Sequence, residues 1–206
     1  RRIALIAPTA ADARDTMVEG ESGILACAPK HNRPIYEPSK RRLTWPNGAV
    51  GTLFSAEEPD RLRGPQHDTA WGDEIAAWKH AEDAWSNLLF GLRLGDPRVC
   101  VTTTPRPVPL LKQLLKDPAT RTTRGSTFDN AANLSPKAVE KLRKLYEGTR
   151  LGRQELFAEL LEDTPGALWT LSLFEANRVH TAPTLCRVVV AVDPQAADPK
   201  DNPDDE

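Results

Sequence analysis

The chain has 206 residues, 39% of them hydrophobic and 27% charged, which excludes a disordered protein and suits one domain with part of a second. Lys and Arg number 27 against 29 Asp and Glu, and this balance excludes a uniformly cationic nucleic-acid coat. Cys27, Cys100 and Cys186 show no CxxC spacing, and no apolar run reaches the ~18 residues of a membrane span, so we expect no disulfide scaffold, zinc site or membrane segment.

The first elements in chain order are a strand, a helix and a connection. Ile3 to Ala7 is a short, almost continuous apolar run, which predicts a strand buried on both faces. Residues 10–19 are predicted to form a helix after the Pro8-Thr9 break. Three prolines and several basic residues in 28–40 predict an irregular connection.

A hairpin is predicted next. Asn47-Gly48 lies between two β-prone runs, residues 41–45 and 49–54. Because Asn and Gly tolerate positive φ, this pair is the strongest short hairpin signal in a sequence. We therefore expect two antiparallel strands joined at this turn.

The remaining segments alternate between strand and helix patterns. The predicted strands lie at about 68–72 and 98–103, and the predicted helices at about 81–92, 107–116, 135–147 and 150–162. Such alternation predicts an α/β fold with a mostly parallel sheet. Asp163 to Gly166 then begins a connector, and residues 187–193 predict a further buried strand that ends at Asp193.

An acid pair follows the predicted strand at 68–72. Asp73 and Glu74 are poorly explained by packing, because a buried carboxylate without a partner costs several kcal/mol. Nucleotide hydrolases use such a pair: one acid organises Mg²⁺ and the second polarises the attacking water. An Asp-Glu pair at the start of a helix can also be a simple N-terminal cap, so the pair alone leaves both interpretations open.

Two further groups of residues flank this acid pair along the chain. Arg63 lies beside a Gly-Pro turn and can project a guanidinium toward a phosphate, although an arginine in a solvated loop is the commoner case. Thr102, Thr103 and Thr104 end the next predicted strand, where open α/β sheets place ligands. A run of Thr can also reflect β-propensity alone.

Taken together, these stretches resemble one family, the large subunit of the phage terminase, which is the DNA-packaging motor of tailed bacteriophages and related prophage elements. The order of the motifs makes the resemblance specific. The matching stretches are residues 2–9, 42–48, 61–66, 71–74, 102–107, 146–156, 165–169 and 188–194.

The resemblance implies roles for individual residues. Asp73 would be the Walker B acid that binds Mg²⁺, and Glu74 the catalytic carboxylate that activates water. Thr102–Thr104 would be the coupling motif beside the γ-phosphate of ATP. Arg63 matches an arginine finger that reaches the nucleotide of a neighbouring subunit. Asp193 would be the first metal-binding acid of an RNase H-like nuclease that uses Mg²⁺ or Mn²⁺.

The resemblance also implies a domain organisation. Residues 1–163 would be a P-loop NTPase-like (ASCE) domain that lacks its first strand and phosphate-binding loop, with a helical lid at about 135–162. A linker over 164–186 would lead to the start of the nuclease domain at 187–206. The Gly-rich loop with Lys that holds phosphates is not in this sequence, and both chain ends look cut. We therefore expect an internal fragment that binds ATP weakly or not at all and is inactive by itself.

The function implied by the resemblance is ATP-driven translocation of double-stranded viral DNA into the procapsid, with endonucleolytic cutting of concatemeric DNA by the C-terminal domain. The implied partners are the portal protein, the small terminase subunit and further copies of this chain in a ring on the procapsid, in the cytoplasm of the bacterial host and without a membrane. Two alternatives stay open: another nucleotide hydrolase of this sheet class, such as a helicase, or a non-catalytic ring or scaffold module.

Overall fold

A six-stranded sheet lies at the centre of residues 1–161. The structure, a computed structural model, describes residues 1–161, 169, 173 and 176–178. The strands are β1 (Arg2–Ala7), β2 (Ile35–Glu37), β3 (Arg42–Thr44), β4 (Val50–Ser55), β5 (Thr69–Gly72) and β6 (Arg98–Val101). Their order is β2-β3-β4-β1-β5-β6, in which β4, β1, β5 and β6 are parallel. The prediction of a mostly parallel sheet is confirmed.

Six α-helices accompany the strands within residues 1–161. They are α1 (Ala10–Asp12), α2 (Ile24–Cys27), α3 (Ala81–Gly91), α4 (Pro109–Lys116), α5 (Pro136–Tyr146) and α6 (Arg150–Glu155). Thr9 caps α1, since its hydroxyl accepts from the Asp12 amide at 3.1 Å while the Asp12 carboxylate accepts in return from the Thr9 amide. After α1 the chain continues as a π-helical turn over Ala13–Val18. The helices predicted near 10–19, 81–92, 107–116 and 135–147 are therefore present.

Helices cover both faces of β1. Ala4 and Ile6 are fully buried in a cluster with residues of α3 and α4, whereas Leu5 and Ala7 pack with residues of the π-helical turn. Successive side chains of a strand point to opposite faces of a sheet, so a strand between two such layers needs apolar residues at every position. The continuous apolar run of β1 has this physical origin.

The predicted hairpin is present at the expected turn. Gly48 adopts a φ of 81°, which the absence of a side chain permits, and the Asn47 side-chain oxygen accepts from the Ala49 amide at 3.0 Å. β3 and β4 pair antiparallel with Leu43 opposite Gly51. The turn therefore sets the register of the antiparallel edge of the sheet.

Two predicted segments differ from the structure. The connection over 28–40 contains strand β2, which pairs antiparallel with β3 and places Tyr36 opposite Leu43. The helix predicted at 150–162 ends at Glu155, and Ala158 further on adopts a left-handed φ of 53° that a helix cannot continue through. Leu156 and Leu161 are nevertheless buried, so the apolar pattern of this segment reflects packing rather than helix length.

The chain divides into two units, Arg1–Glu162 and Asp163–Glu206, and the elements above belong to the first. The strand predicted at 187–193, with Asp193, lies outside the described residues, and the linker predicted at 164–186 is described only at five positions. Within the described part of the chain, no helix is long and apolar enough to cross a bilayer.

His67 is a buried titratable group at the start of β5. It is 3% exposed, it meets the Phe54 ring edge-on at 5.5 Å between centroids, and neither ring nitrogen has a hydrogen-bond partner within the described residues. Burial lowers the pKa of His67, because the charged imidazolium would lose its hydration, and nearby Asp68 only partly opposes this shift. His67 is therefore neutral in the folded chain near neutral pH.

A pH dependence of stability follows from His67. Below about pH 6.5 the unfolded chain takes up a proton at this site that the folded chain does not, so stability falls with pH down to the lowered pKa of the folded state. The slope contributed by one proton is at most about 1.4 kcal/mol per pH unit. Urea titrations of the 206-residue chain between pH 7 and 5 measure it. His67→Gln should flatten this slope, whereas the matched change at exposed His31 should not; an unaltered slope in His67→Gln would contradict the assignment.

Candidate functional site

The candidate site lies at the edge of the sheet where its parallel strands end. Gly72 of β5 is paired with Val101 of β6, and the Thr102 amide continues the ladder by donating to the Gly72 carbonyl at 3.0 Å. Because parallel strands end at the same edge, the residues that follow β5 and β6 are brought side by side. The acid pair and the three threonines are those residues.

Asp73 is held by its side chain and by both of its backbone polar groups. The Thr102 hydroxyl donates to Asp73 Oδ1 at 2.5 Å. The Asp73 amide donates to the Ile6 carbonyl at 2.8 Å, and the Trp78 indole donates to the Asp73 carbonyl at 2.8 Å. Asp73 Oδ2 has no hydrogen-bond partner among residues 1–161, so one oxygen of a fixed, half-buried carboxylate is left available.

Glu74 is turned back toward the threonines by an unusual backbone conformation. Its φ of 47° and ψ of 48° lie in the left-handed region, which costs a non-glycine residue about 1 kcal/mol or more. In this conformation Glu74 Oε2 accepts from the Thr104 amide at 3.4 Å. Within the described residues Oε1 has no partner, so the Glu74 carboxylate is oriented and still has a free oxygen.

Two backbone amides after Glu74 also donate hydrogen bonds to the end of β6. They tie to β6 the turn that carries Asp73 and Glu74, which we call the acid turn. The Ile75 amide donates to the Thr102 carbonyl at 3.4 Å, and the Ala76 amide donates to the Thr103 hydroxyl at 3.1 Å. All three threonines therefore contact the turn that carries Asp73 and Glu74. This proximity follows from the pairing of β5 with β6, whose ends carry the two groups of residues.

Trp78 is a structural residue of the site, and it is not among the candidate site residues named from the sequence. Its ring is 5% exposed and lies against Gly72, where an added Cβ would come within 3.1 Å of two ring atoms. Gly72 thus allows the indole to pack directly beneath the strand end, from which its N–H reaches the Asp73 carbonyl. The Gly immediately before the acid pair was the sequence signal for this close approach.

Arg63 lies on the surface in the segment that leads into β5. It follows the 3-10 turn Pro59–Leu62, and its exposed guanidinium has no ion pair or hydrogen bond among the described residues. Arg61, on the same turn, is paired with Glu58 at 2.8 Å. Arg63 is therefore an available cation on the surface, and its role as an arginine finger stays a prediction.

Comparison with known proteins gives a family and a fold. Residues 1–176 match the family model described as terminase large subunit, T4likevirus-type, N-terminal. The large terminase of a thermophilic bacteriophage in complex with ATP-gamma-S superposes with a TM-score of 0.61 at 14% identity, over 77% of this chain and 39% of that chain. The complex of the same terminase with ADP superposes with a TM-score of 0.61 at 16% identity, over 77% of this chain and 40% of that chain. No curated protein sequence matches this chain.

The ATPase domain of the Thermus phage P74-26 large terminase is also similar, with a TM-score of 0.49 at 19% identity over 78% of this chain and 76% of that chain. The chain spans about two fifths of the length of the terminase that was crystallised with ATP-gamma-S and ADP. The family model covers most of the described elements, including the acid turn and the threonine run. The chain belongs to the terminase large subunit family, T4likevirus type, and carries its N-terminal region.

Proposed function

We propose that this chain is part of a DNA-packaging motor in which Asp73 and Glu74 serve ATP hydrolysis. The observation that carries the proposal is the acid turn held against Thr102–Thr104 at the carboxyl edge of a parallel sheet. The large terminase of the thermophilic bacteriophage, which has this fold, was crystallised with ATP-gamma-S and with ADP. This supports ATP as the nucleotide.

The residues present fit a magnesium ion that is bound together with a nucleotide. The described residues contain no group of three or more His, Cys, Asp or Glu able to hold a metal, so this part of the chain provides no metal cage by itself. Mg²⁺ in nucleotide sites typically takes one or two carboxylates and completes its shell with phosphate oxygens and water. Asp73 would supply such a carboxylate, and the ion would neutralise charge on the phosphates.

The chemistry that we assign to the chain is general base catalysis by Glu74. Its free oxygen takes a proton from the water whose oxygen attacks the γ-phosphorus, while the bond from that phosphorus to the bridging oxygen of ADP breaks. The Thr104 amide orients the carboxylate for this step. The Thr102 and Thr103 hydroxyls, bound to the same turn, would move with it when the γ-phosphate leaves, which is the coupling role proposed for this run.

A phosphate-binding loop with Gly and Lys is the part of such a site that residues 1–206 do not contain. In the described structure β6 is the outer strand of the sheet and pairs only with β5. We place the strand that carries the loop beside the free edge of β6, which brings the loop next to Thr102. On this proposal residues 1–206 alone bind ATP weakly, and a nucleotide titration with micromolar affinity would contradict it.

The direct test is ATP hydrolysis by the full-length protein after replacement of Glu74 by Gln, for which we expect loss of turnover with nucleotide binding retained.

The whole-motor functions belong to the same proposal: movement of double-stranded viral DNA into a procapsid by a ring of copies that docks on the portal protein and works with the small terminase subunit. The nuclease role of Asp193, with Mg²⁺ or Mn²⁺, rests on the sequence pattern of residues 188–194 alone.

Arg63 provides a prediction about the ring. Arg63→Ala should lower ATP turnover roughly 10³-fold, as expected for removal of an arginine finger. If Arg63 acts on the nucleotide of a neighbouring copy, mixing Arg63→Ala subunits with Glu74→Gln subunits should partly restore hydrolysis. A Glu74→Gln copy then supplies its intact Arg63 to the site of a copy with an intact Glu74. Steady-state turnover across mixing ratios measures this.

The matched control is Arg61→Ala, because Arg61 lies on the same turn but is paired with Glu58. Its turnover should stay near that of the parent protein. Mixtures whose turnover never exceeds the sum of the two inactive variants would show that Arg63 does not act between subunits.

A further inference from the structure

We propose that Trp71 is a positioning residue of this site, whose indole N–H holds the Thr102 hydroxyl oxygen at the place from which Thr102 donates its proton to Asp73. The inference rests on the proposed function, in which the Asp73 carboxylate serves the Mg²⁺ of a nucleotide. It assigns a role to a tryptophan that is not among the candidate site residues named from the sequence. The evidence is a continuous chain of hydrogen bonds across two strands.

The first link joins Trp71 to Thr102. The Trp71 indole Nε1 donates to Thr102 Oγ1 at 3.0 Å. Trp71 is paired in register with Cys100 of β6, so Thr102 lies two residues further along the neighbouring strand and on the same face. The body of the indole packs against the core cluster that contains Leu5, which fixes the position of its N–H.

The second link joins Thr102 to Asp73. An indole N–H can only donate, so Thr102 is the acceptor in its bond with Trp71. An ionised carboxylate can only accept, so Thr102 gives its single proton to Asp73 Oδ1, 2.5 Å away. Trp71 therefore occupies the acceptor side of the Thr102 hydroxyl and holds it where its proton meets Asp73.

The consequence concerns which carboxylate oxygen is available. With Oδ1 held by Thr102, the carboxylate cannot rotate freely, and Oδ2 is the oxygen without a partner among residues 1–161. A hydrogen bond that orients a metal-binding side chain typically changes metal affinity or activity by 10–100-fold when it is removed. We expect loss of the Trp71 N–H to act on the Mg²⁺ requirement rather than on folding, because a phenyl ring preserves most of the packing.

The first test compares two conservative variants in the full-length protein. Trp71→Phe should raise the Mg²⁺ concentration for half-maximal ATP hydrolysis roughly tenfold. Trp45→Phe is the matched control, because Trp45 packs against the same core cluster and its indole N–H has no partner within the described residues. Equal Mg²⁺ requirements in the two variants would overturn the inference.

A double-mutant cycle separates positioning from packing. If Trp71 acts through Thr102, adding Trp71→Phe to Thr102→Val should cause little further rise in the Mg²⁺ requirement, because the acceptor is already gone. Additive effects of the two changes would mean that Trp71 acts independently of Thr102, and would overturn the inference. The cycle compares the Mg²⁺ requirements of four proteins that differ only at these two positions.

A spectroscopic test needs no ATPase activity. In the 206-residue chain, Thr102→Val should move the Trp71 indole N–H resonance and speed its exchange with water, while the Trp45 indole resonance stays in place. An unchanged Trp71 resonance would overturn the inference. Failure of the proposed function looks different: the full-length protein would then show no hydrolysis that depends on Glu74, whatever residue is present at position 71.

Discussion

Glu74→Gln in the full-length protein is expected to reduce ATP turnover by about 10²–10⁴-fold. An amide has nearly the shape of a carboxylate and can still accept from the Thr104 amide, but it cannot take a proton from the attacking water. The change therefore removes the base and leaves the left-handed turn that positions it. Phosphate release under saturating Mg²⁺ and ATP measures the turnover.

The dissociation constant for ATP should change little in Glu74→Gln, since the proposed base acts on water and not on the phosphates. Glu21→Gln is the matched control, because it removes the same charge from an exposed position away from the acid turn, and it should leave turnover unchanged. Turnover of Glu74→Gln at the rate of the parent protein would refute the role of Glu74. A large loss of ATP affinity would make Glu74 a binding residue instead.

Leu88→Ala is expected to destabilise the fold by about 2–5 kcal/mol. Leu88 is fully buried on the inner face of α3, in the cluster that also contains Ile75 and Trp78 of the acid turn. Truncation removes apolar contacts and leaves a cavity that the surrounding side chains only partly fill. Urea unfolding of the 206-residue chain, followed by circular dichroism, gives the change in the free energy of unfolding.

The neighbouring residue on the same helix provides the control. Leu89 is 51% exposed, so Leu89→Ala should change the free energy of unfolding by no more than about 0.5 kcal/mol. The two variants share the same change in composition and helix propensity, and only burial separates them. If Leu88→Ala and Leu89→Ala unfold at the same urea concentration and with the same dependence on urea, then α3 does not pack on the sheet as described.

Much of the site was predictable because it depends on where strands end. The apolar run of β1, the Asn47-Gly48 turn and the polar residues after β5 and β6 are local signals, and each has a local cause in burial, backbone conformation or strand direction. The side-by-side placement of Asp73 and Thr102 follows from those signals together, since adjacent parallel strands finish at one edge. The sequence therefore indicated which residues are candidates for the site, and the pairing of β5 with β6 brings them together.

Other features depend on contacts between distant residues. β2 is only three residues long and exposes Ile35, so its pairing with β3 supplies the hydrogen bonds that make it a strand. α6 ends at Glu155, and the left-handed conformation of Ala158 that follows is one that no residue preference predicts. For β2, a tertiary contact outweighs a weak local preference.

The sequence by itself determined the alternation of strands and helices, the family and the candidate acids and threonines. It could do so because burial and turn conformation restrict which residue types occur at nearby positions. Only the tertiary structure decided which tryptophan N–H groups reach the site and which carboxylate oxygen stays free. A hydrogen bond depends on atoms meeting within about 3 Å, and residues such as Trp71 and Thr102, 31 positions apart, are brought to that distance only by sheet register.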